Sequence, residues 1–154
     1  TGVEACEVLS KRRKLRLDVG WFNNRFFINQ LHIKPAKVAV TYDERFTVSS
    51  ENGMIELVVC NLQPFVWRDG GKKQVNVHPQ DEKLEAFLRP VVGKKMFGKH
   101  EYEEPSIFPF EEMIVKSKKA FEVIADGKRS KEVNVKIKLA KNRINMIVGK
   151  DRQF

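Results

Sequence analysis

From Val133 to Leu139 the chain alternates apolar and polar residues. Val133, Val135, Ile137 and Leu139 fall on one side, and Asn134, Lys136 and Lys138 on the other. A period of two marks a strand with one face in a core and one in water. Phe121 and Val123 predict a shorter strand before it, and Ile144, Met146 and Val148 another after it. Asp126-Gly127, a dipeptide that tolerates positive φ, predicts a tight turn between the first two. The remaining pattern falls around this antiparallel unit, residues 120–148. Leu15–Val19 and Arg25–Asn29 read as strands joined through Asn23-Asn24. Lys37–Tyr42 reads as a half-buried strand, and the nearly continuous apolar run Ile55–Asn61 as a central one. Gln74–His78 is a short strand stopped by Pro79. Asp81–Arg89 fits a helix through Leu84, Phe87 and Leu88, and a strand through Leu84, Ala86 and Leu88; Pro90 is expected to end either. Val3, Cys6, Val8 and Leu9 recur at helical spacing, which predicts a short amphipathic helix near the start. Gln30–Pro35 reads as a link, Asp43–Gly53 as a polar connection ending in the turn signal Asn52-Gly53, and Pro64–Lys73 as a loop.

Composition narrows the class. A chain of 154 residues is one domain on length and can bury a core without covalent staples. The charge is +9, from 29 Lys+Arg against 20 Asp+Glu, and favours an anionic partner: nucleic acid, an anionic membrane, or phosphate. Two cysteines, Cys6 and Cys60, are too few for a disulfide framework; both lie in apolar settings and read as reduced core residues of a cytosolic protein. No apolar run approaches membrane-spanning length and no signal-peptide pattern is present. The chain begins at Thr1 rather than Met, as a processed chain or a piece of a longer one would.

Candidate chemistry is sparse. Lys11, Arg12, Arg13 and Lys14, with Arg16 beyond, form a basic cluster that can meet phosphates or simply face solvent. Lys128 and Arg129 follow the Asp126-Gly127 turn. Gly70-Gly71 beside Lys72-Lys73 can offer backbone N–H groups to a phosphate, though a surface turn is the default reading. His32, His78 and His100 are isolated, and no Cys/His spacing matches a zinc site. There is no G-x-G-x-x-G, no Walker lysine motif and no G-x-S-x-G elbow.

The order of motifs brings a family into view. Arg16-Leu17-Asp18-Val19-Gly20 followed by Asn23-Asn24-Arg25-Phe26-Phe27-Ile28-Asn29 resembles the opening of the C-terminal β-sandwich domain of the diacylglycerol kinase/sphingosine kinase type of lipid kinase, its bacterial and archaeal branch especially. Lys34-Pro35-Ala36-Lys37-Val38 resembles the entry to that domain's strand ending in Asn, here Leu57–Asn61. Gly70-Gly71 and Pro79–Glu85 resemble its glycine-rich and P-A…DG-L run, and Gly98-Lys99-His100 its "l-G-h" step. Phe110–Ser117 and Val123–Gly127 are similar to the run that ends in its Asp-Gly-Glu turn.

That resemblance implies a mainly β fold, an antiparallel β-sandwich with one or two short helices, as a single domain over residues 1–154. It also implies a division of labour. Kinases of this type hold the nucleotide on a glycine-rich loop in an N-terminal α/β domain, which residues 1–154 do not include. The sandwich covers the cleft and supplies acids that position the acceptor hydroxyl and Mg²⁺. By position, Asp126 is the candidate catalytic residue. Lys128 stands where the family has glutamate, and a cation there would repel Mg²⁺. The family's glycine-containing helical segment is also missing after Asn29. The expectation is a substrate-side, lipid-facing domain that does not catalyse phosphoryl transfer alone. No cofactor is expected for these residues by themselves; ATP and Mg²⁺ are expected only with a nucleotide-binding domain. The partners implied are an anionic lipid or membrane surface and a nucleotide-binding kinase domain, in a cytoplasmic or membrane-peripheral location. The competing reading is a basic β-domain that binds nucleic acid through residues 11–16 and 128–143; it lacks the aromatic stacking set of RNA- and single-strand-binding folds.

Overall fold

The computed structural model describes residues 1–149 except 12, 51–52, 64, 69–71, 76, 79 and 95–99. One helix, α1 (Gly2–Ser10), precedes strands numbered in chain order: β1 (Lys14–Phe22), β2 (Arg25–Phe27), β3 (Gln30–Ala36), β4 (Ala39–Tyr42), β5 (Phe46–Ser49), β6 (Met54–Cys60), β7 (Phe65–Arg68), β8 (Lys72–Val75), β9 (Leu84–Lys94), β10 (His100–Tyr102), β11 (Ser106–Phe110), β12 (Glu112–Ala125) and β13 (Lys128–Ile147). Every strand pairing is antiparallel. The expected mainly β, antiparallel architecture with one or two short helices is what the chain adopts, with one helix among the described residues.

The main sheet runs β10-β9-β6-β3-β12-β13-β1-β2, with β11 on β9 and β4-β5 on β12. Long strands let it fold over. β11 and β12 are separated by Glu111 alone, yet β11 pairs with β9 while the start of β12 pairs with β13 and β4. The two halves close on a continuous core in which the Tyr42 ring of β4 packs at a tilt against Phe108 and edge-on to Phe110 of β11. Period-two alternation supplies that core: Leu31 and Ile33, Leu57 and Val59, Ala86 and Leu88, Val123, and Val135 and Ile137 all point inward. A smaller cluster of Val58, Cys60, Val77 and Phe87 lies outside this layer, with Phe65 of the separate β7–β8 pair packed on it.

Several expectations need correction. Gln30–Pro35 is no link but β3, a central strand between β6 and β12; Leu31 and Ile33 alternate with His32 and Lys34, a signal that Pro35 obscured. The polar connection 43–53 contains β5, and the loop 64–73 contains β7 and the start of β8. Pro90 does not end β9. Its carbonyl accepts from Glu103 N–H at 3.1 Å, so its nitrogen faces the gap between β10 and β11, where no ladder bond needs a donor. Ile144–Met146 is not a separate strand but the continuation of β13 beside β1. Val133 is 52% exposed, because β12 bulges by Ser117–Ala120 opposite it and withdraws the apolar cover. Cys6 is exposed, since α1 buries no residue; Cys60 is buried as expected.

Candidate functional site

The turn Asp126-Gly127 forms as the dipeptide predicts, with both residues at positive φ (45° and 82°) between β12 and β13. Its carboxylate does more than shape the turn. Oδ2 accepts from Ile28 N–H at 2.6 Å, and Oδ1 accepts from the N–H groups of Asn29 (2.9 Å) and Gln30 (3.1 Å). The Asp126 N–H in turn donates to the Gln30 carbonyl at 3.1 Å. The corner between β2 and β3 is therefore held by a side chain from nearly a hundred residues away.

Asn29 continues the network. Its carbonyl accepts from Asn61 N–H at 3.0 Å and more loosely from Leu62 and Gln63. The Asn61 side chain, 2% exposed, donates to the carbonyls of Asp18 (3.0 Å) and Ile28 (2.9 Å). Two carbonyl partners fix the amide orientation, which leaves Asn61 Oδ1 buried without a partner. Asp18 is itself buried at a register shift in β1. Gly20 lies two residues on, and a Cβ there would lie 2.0 Å from the Phe27 ring, so glycine is needed for Phe27 to reach the core. Asp18, Gly20, Phe27, Asn29, Asn61 and Asp126, letters scattered through the motifs, thus meet at one end of the sheet.

The basic candidates do not gather there as one patch. Lys128 and Arg129 are exposed beside the turn, with Arg129 Nη1 3.7 Å from Glu122. Lys11, Arg13 and Lys14 are exposed near the far end of β13, where Lys14 pairs with Ile147 while Lys128 pairs with Ala125. Arg12 and the Asp69-Gly70-Gly71 stretch lie outside the described residues, as do Gly98 and Lys99.

One polar cluster carries no sequence signal, because its members come from three strands. On the outer face of β3, β6 and β9, His32 Nε2 lies 2.7 Å from Glu56 Oε1, and Arg89 donates to Glu56 Oε2, from Nε at 3.1 Å. Burial alone would push the Glu56 carboxyl up; hydrogen bonds and charge from His32 and Arg89 outweigh it and hold the group below the usual carboxylate range. The Arg89 guanidinium lies between Tyr102 and Phe65, 4.2 and 5.3 Å from their ring centroids. Nearby, burial and the charge of Asp81 push the Glu85 carboxyl up to about 7. Among the described residues no group of His, Cys, Asp and Glu is placed to hold a metal ion, and no helix is long and apolar enough to cross a membrane.

Fold and site together define a closed-over antiparallel β domain whose motif residues knit one end. No protein-family model and no curated protein matches the chain. Solved structures do. It superimposes on a diacylglycerol kinase from Bacillus anthracis str. Sterne with a TM-score of 0.69 at 17% identity, over 95% of this chain and 58% of that one. Two further Bacillus anthracis structures, provisionally assigned as diacylglycerol kinases, give 0.68 and 0.70, again at 17% identity, over 60% and 61% of their lengths. The chain has the fold of part of those proteins and spans about three-fifths of their length.

Proposed function

We propose that this chain is the substrate-side, lipid-facing domain of a diacylglycerol/sphingosine kinase-like protein, inactive in phosphoryl transfer without a nucleotide-binding domain. The observation that carries the reading is the convergence of Asp18, Asn29, Asn61 and Asp126 on one hydrogen-bond network. These residues stand at the motif positions that resemble the family's, and they meet within a fold shared with diacylglycerol kinases. In this reading Asp126 is a positioning residue. Its oxygens hold Ile28–Gln30 and so shape the rim that a nucleotide-bearing domain would face. ATP and Mg²⁺ would be held mainly by that other domain.

The isolated chain is then expected to show no ATP binding by calorimetry and no phosphorylation of diacylglycerol or a sphingoid base. It is expected to sediment with anionic vesicles containing diacylglycerol, and to release them as salt rises, since the screening length falls to roughly 8 Å at physiological ionic strength. Turnover by the chain alone would reject the reading. Tighter binding to DNA than to vesicles at the same ionic strength would favour a nucleic-acid-binding β-domain instead.

A further inference from the structure

A cavity of about 880 Å³ opens where the sheet ladder is interrupted, between the β3–β4 link and the bulge in β12. β12 pairs with β4 through Lys116 and with β3 from Val123, and residues between them wall the opening. Five lysines line it: Lys34 and Lys37 on one side, Lys116, Lys118 and Lys119 on the other. All five are exposed, and none makes an ion pair with a described residue. The only carboxylate among the described lining residues, Glu122, faces Arg129 at 3.7 Å. Val38 and Phe121, each 5% exposed, give the cavity an apolar floor.

The walls are tied together. Ser117 Oγ donates to the Lys37 carbonyl at 2.7 Å and accepts from Lys119 N–H at 3.2 Å. One hydroxyl thus anchors the bulge to the opposite link and holds lysines from both sides around one space. A run of surface lysines ordinarily does no more than solvate a face. A concave site differs, because low-dielectric walls focus the field of like charges and concentrate a counter-ion. Lysine ammonium groups bind phosphate as point charges, and the volume lies within the roughly 300–1,000 Å³ of small-molecule sites, well above what one phosphate fills.

We propose that this cavity binds a phosphate-bearing anion, with the phosphate among Lys37, Lys116 and Lys119 and its organic remainder against Val38 and Phe121. The site lies apart from the Asp126 network: even Glu122, the lining residue of β12 nearest to it in sequence, is four residues away, roughly 13 Å along an extended strand. The inference does not depend on the lipid-kinase reading, and the phosphate is that of either a soluble compound or a lipid headgroup.

The test is titration of the ¹⁵N-labelled chain with inorganic pyrophosphate at about 0.15 M salt, where exposed charges beyond a Debye length are screened. Saturable amide shifts are expected at Lys34, Ala36, Lys37 and Val38 and at residues 116–121. Binding is expected to weaken about tenfold or more in Lys116→Gln/Lys119→Gln, and likewise in Lys34→Gln/Lys37→Gln from the opposite wall, since converging cations act together. Lys11→Gln/Lys14→Gln, on a distant cluster, is expected to bind as the parent does. Phosphatidylcholine vesicles doped with phosphatidic acid, set against phosphatidylglycerol at equal surface charge, identify the source. A preference for phosphatidic acid that the cavity variants lose assigns a headgroup; saturable pyrophosphate binding without that preference assigns a soluble phosphate. No saturable shift with pyrophosphate and no phosphatidic acid preference would overturn the proposal. So would equal weakening by the Lys11/Lys14 variant, which marks a diffuse charge effect. Turnover by the chain alone, or tighter binding to DNA than to vesicles, would reject the kinase reading and leave these outcomes unchanged, so failure of that reading and failure of this site are separable.

Discussion

The Asp126 carboxylate is where turn chemistry and family position meet. Three backbone N–H groups converge on it, and charge-assisted bonds of this kind are about twice as strong as neutral ones. Asp126→Asn keeps the turn but gives up the charge and one acceptor oxygen. The expected loss is about 1–3 kcal/mol, tempered by solvent at the exposed corner and read as a lower urea midpoint with an unchanged m-value. Lys128→Glu tests the metal question on the same two residues. It places carboxylates two positions apart, but both oxygens of Asp126 are already engaged by the β2–β3 corner. Manganese titration of Lys128→Glu is therefore expected to give no localised paramagnetic broadening. Broadening that Asp126→Asn removes would show instead that the turn retains a cation site.

Strand elements were legible where the alternation was uninterrupted, as at Leu15–Val19 and Val133–Leu139, or where an apolar run was nearly continuous, as at Ile55–Asn61. They were illegible where a proline or a polar run broke the count. Pro35 masks β3, although its Leu31 and Ile33 are fully buried, and Pro90 reads as a stop within a strand that runs on to Lys94. The motif residues could be read as letters of a family pattern, but not as contacts: Asn29 and Asn61 meet only because β3 and β6 pair. The lysine cavity was illegible for a similar reason. Lys34-Pro35-Ala36-Lys37 and Lys116–Lys119 lie eighty residues apart, and only the bulge in β12 turns them toward one space. Gly20 shows how a single element carries such information. It pairs with Phe27 across β1 and β2, and the ring covers the position a Cβ would take. Gly20→Ala is expected to force Phe27 out of its buried seat at a cost of about 1–3 kcal/mol. Phe27→Leu in the same chain should recover part of that loss by making room, so that the double mutant is destabilised by less than the sum of the two single mutants. Additive losses would mean that the backbone, not the ring, absorbs the extra methyl.

At the scale of the whole molecule, one large sheet is closed by a continuous core, while β7–β8 forms a two-stranded sheet of its own. An isolated two-stranded pair is marginal in water, and this one rests on the contact of Phe65 with Phe87 and the small cluster around Val58 and Cys60. It is expected to lift away at a lower free energy than the main sheet unfolds, as weakly tied segments do. Cys60 reports that event. It is buried, and burial together with the charge of Glu85 pushes its thiol up to about 12, so it stays unreactive until it opens to solvent. Cys6 is exposed on α1 and serves as the internal standard. With iodoacetamide, Cys6 is expected to label at once and Cys60 slowly, at a rate nearly independent of low urea. Phe65→Ala should speed Cys60 labelling by about tenfold, equivalent to about 1.4 kcal/mol of lost cover, while the global unfolding midpoint moves little. If Cys60 labelling instead follows urea with the full slope of global unfolding, and Phe65→Ala lowers both together, the β7–β8 pair and the main sheet open as one cooperative unit.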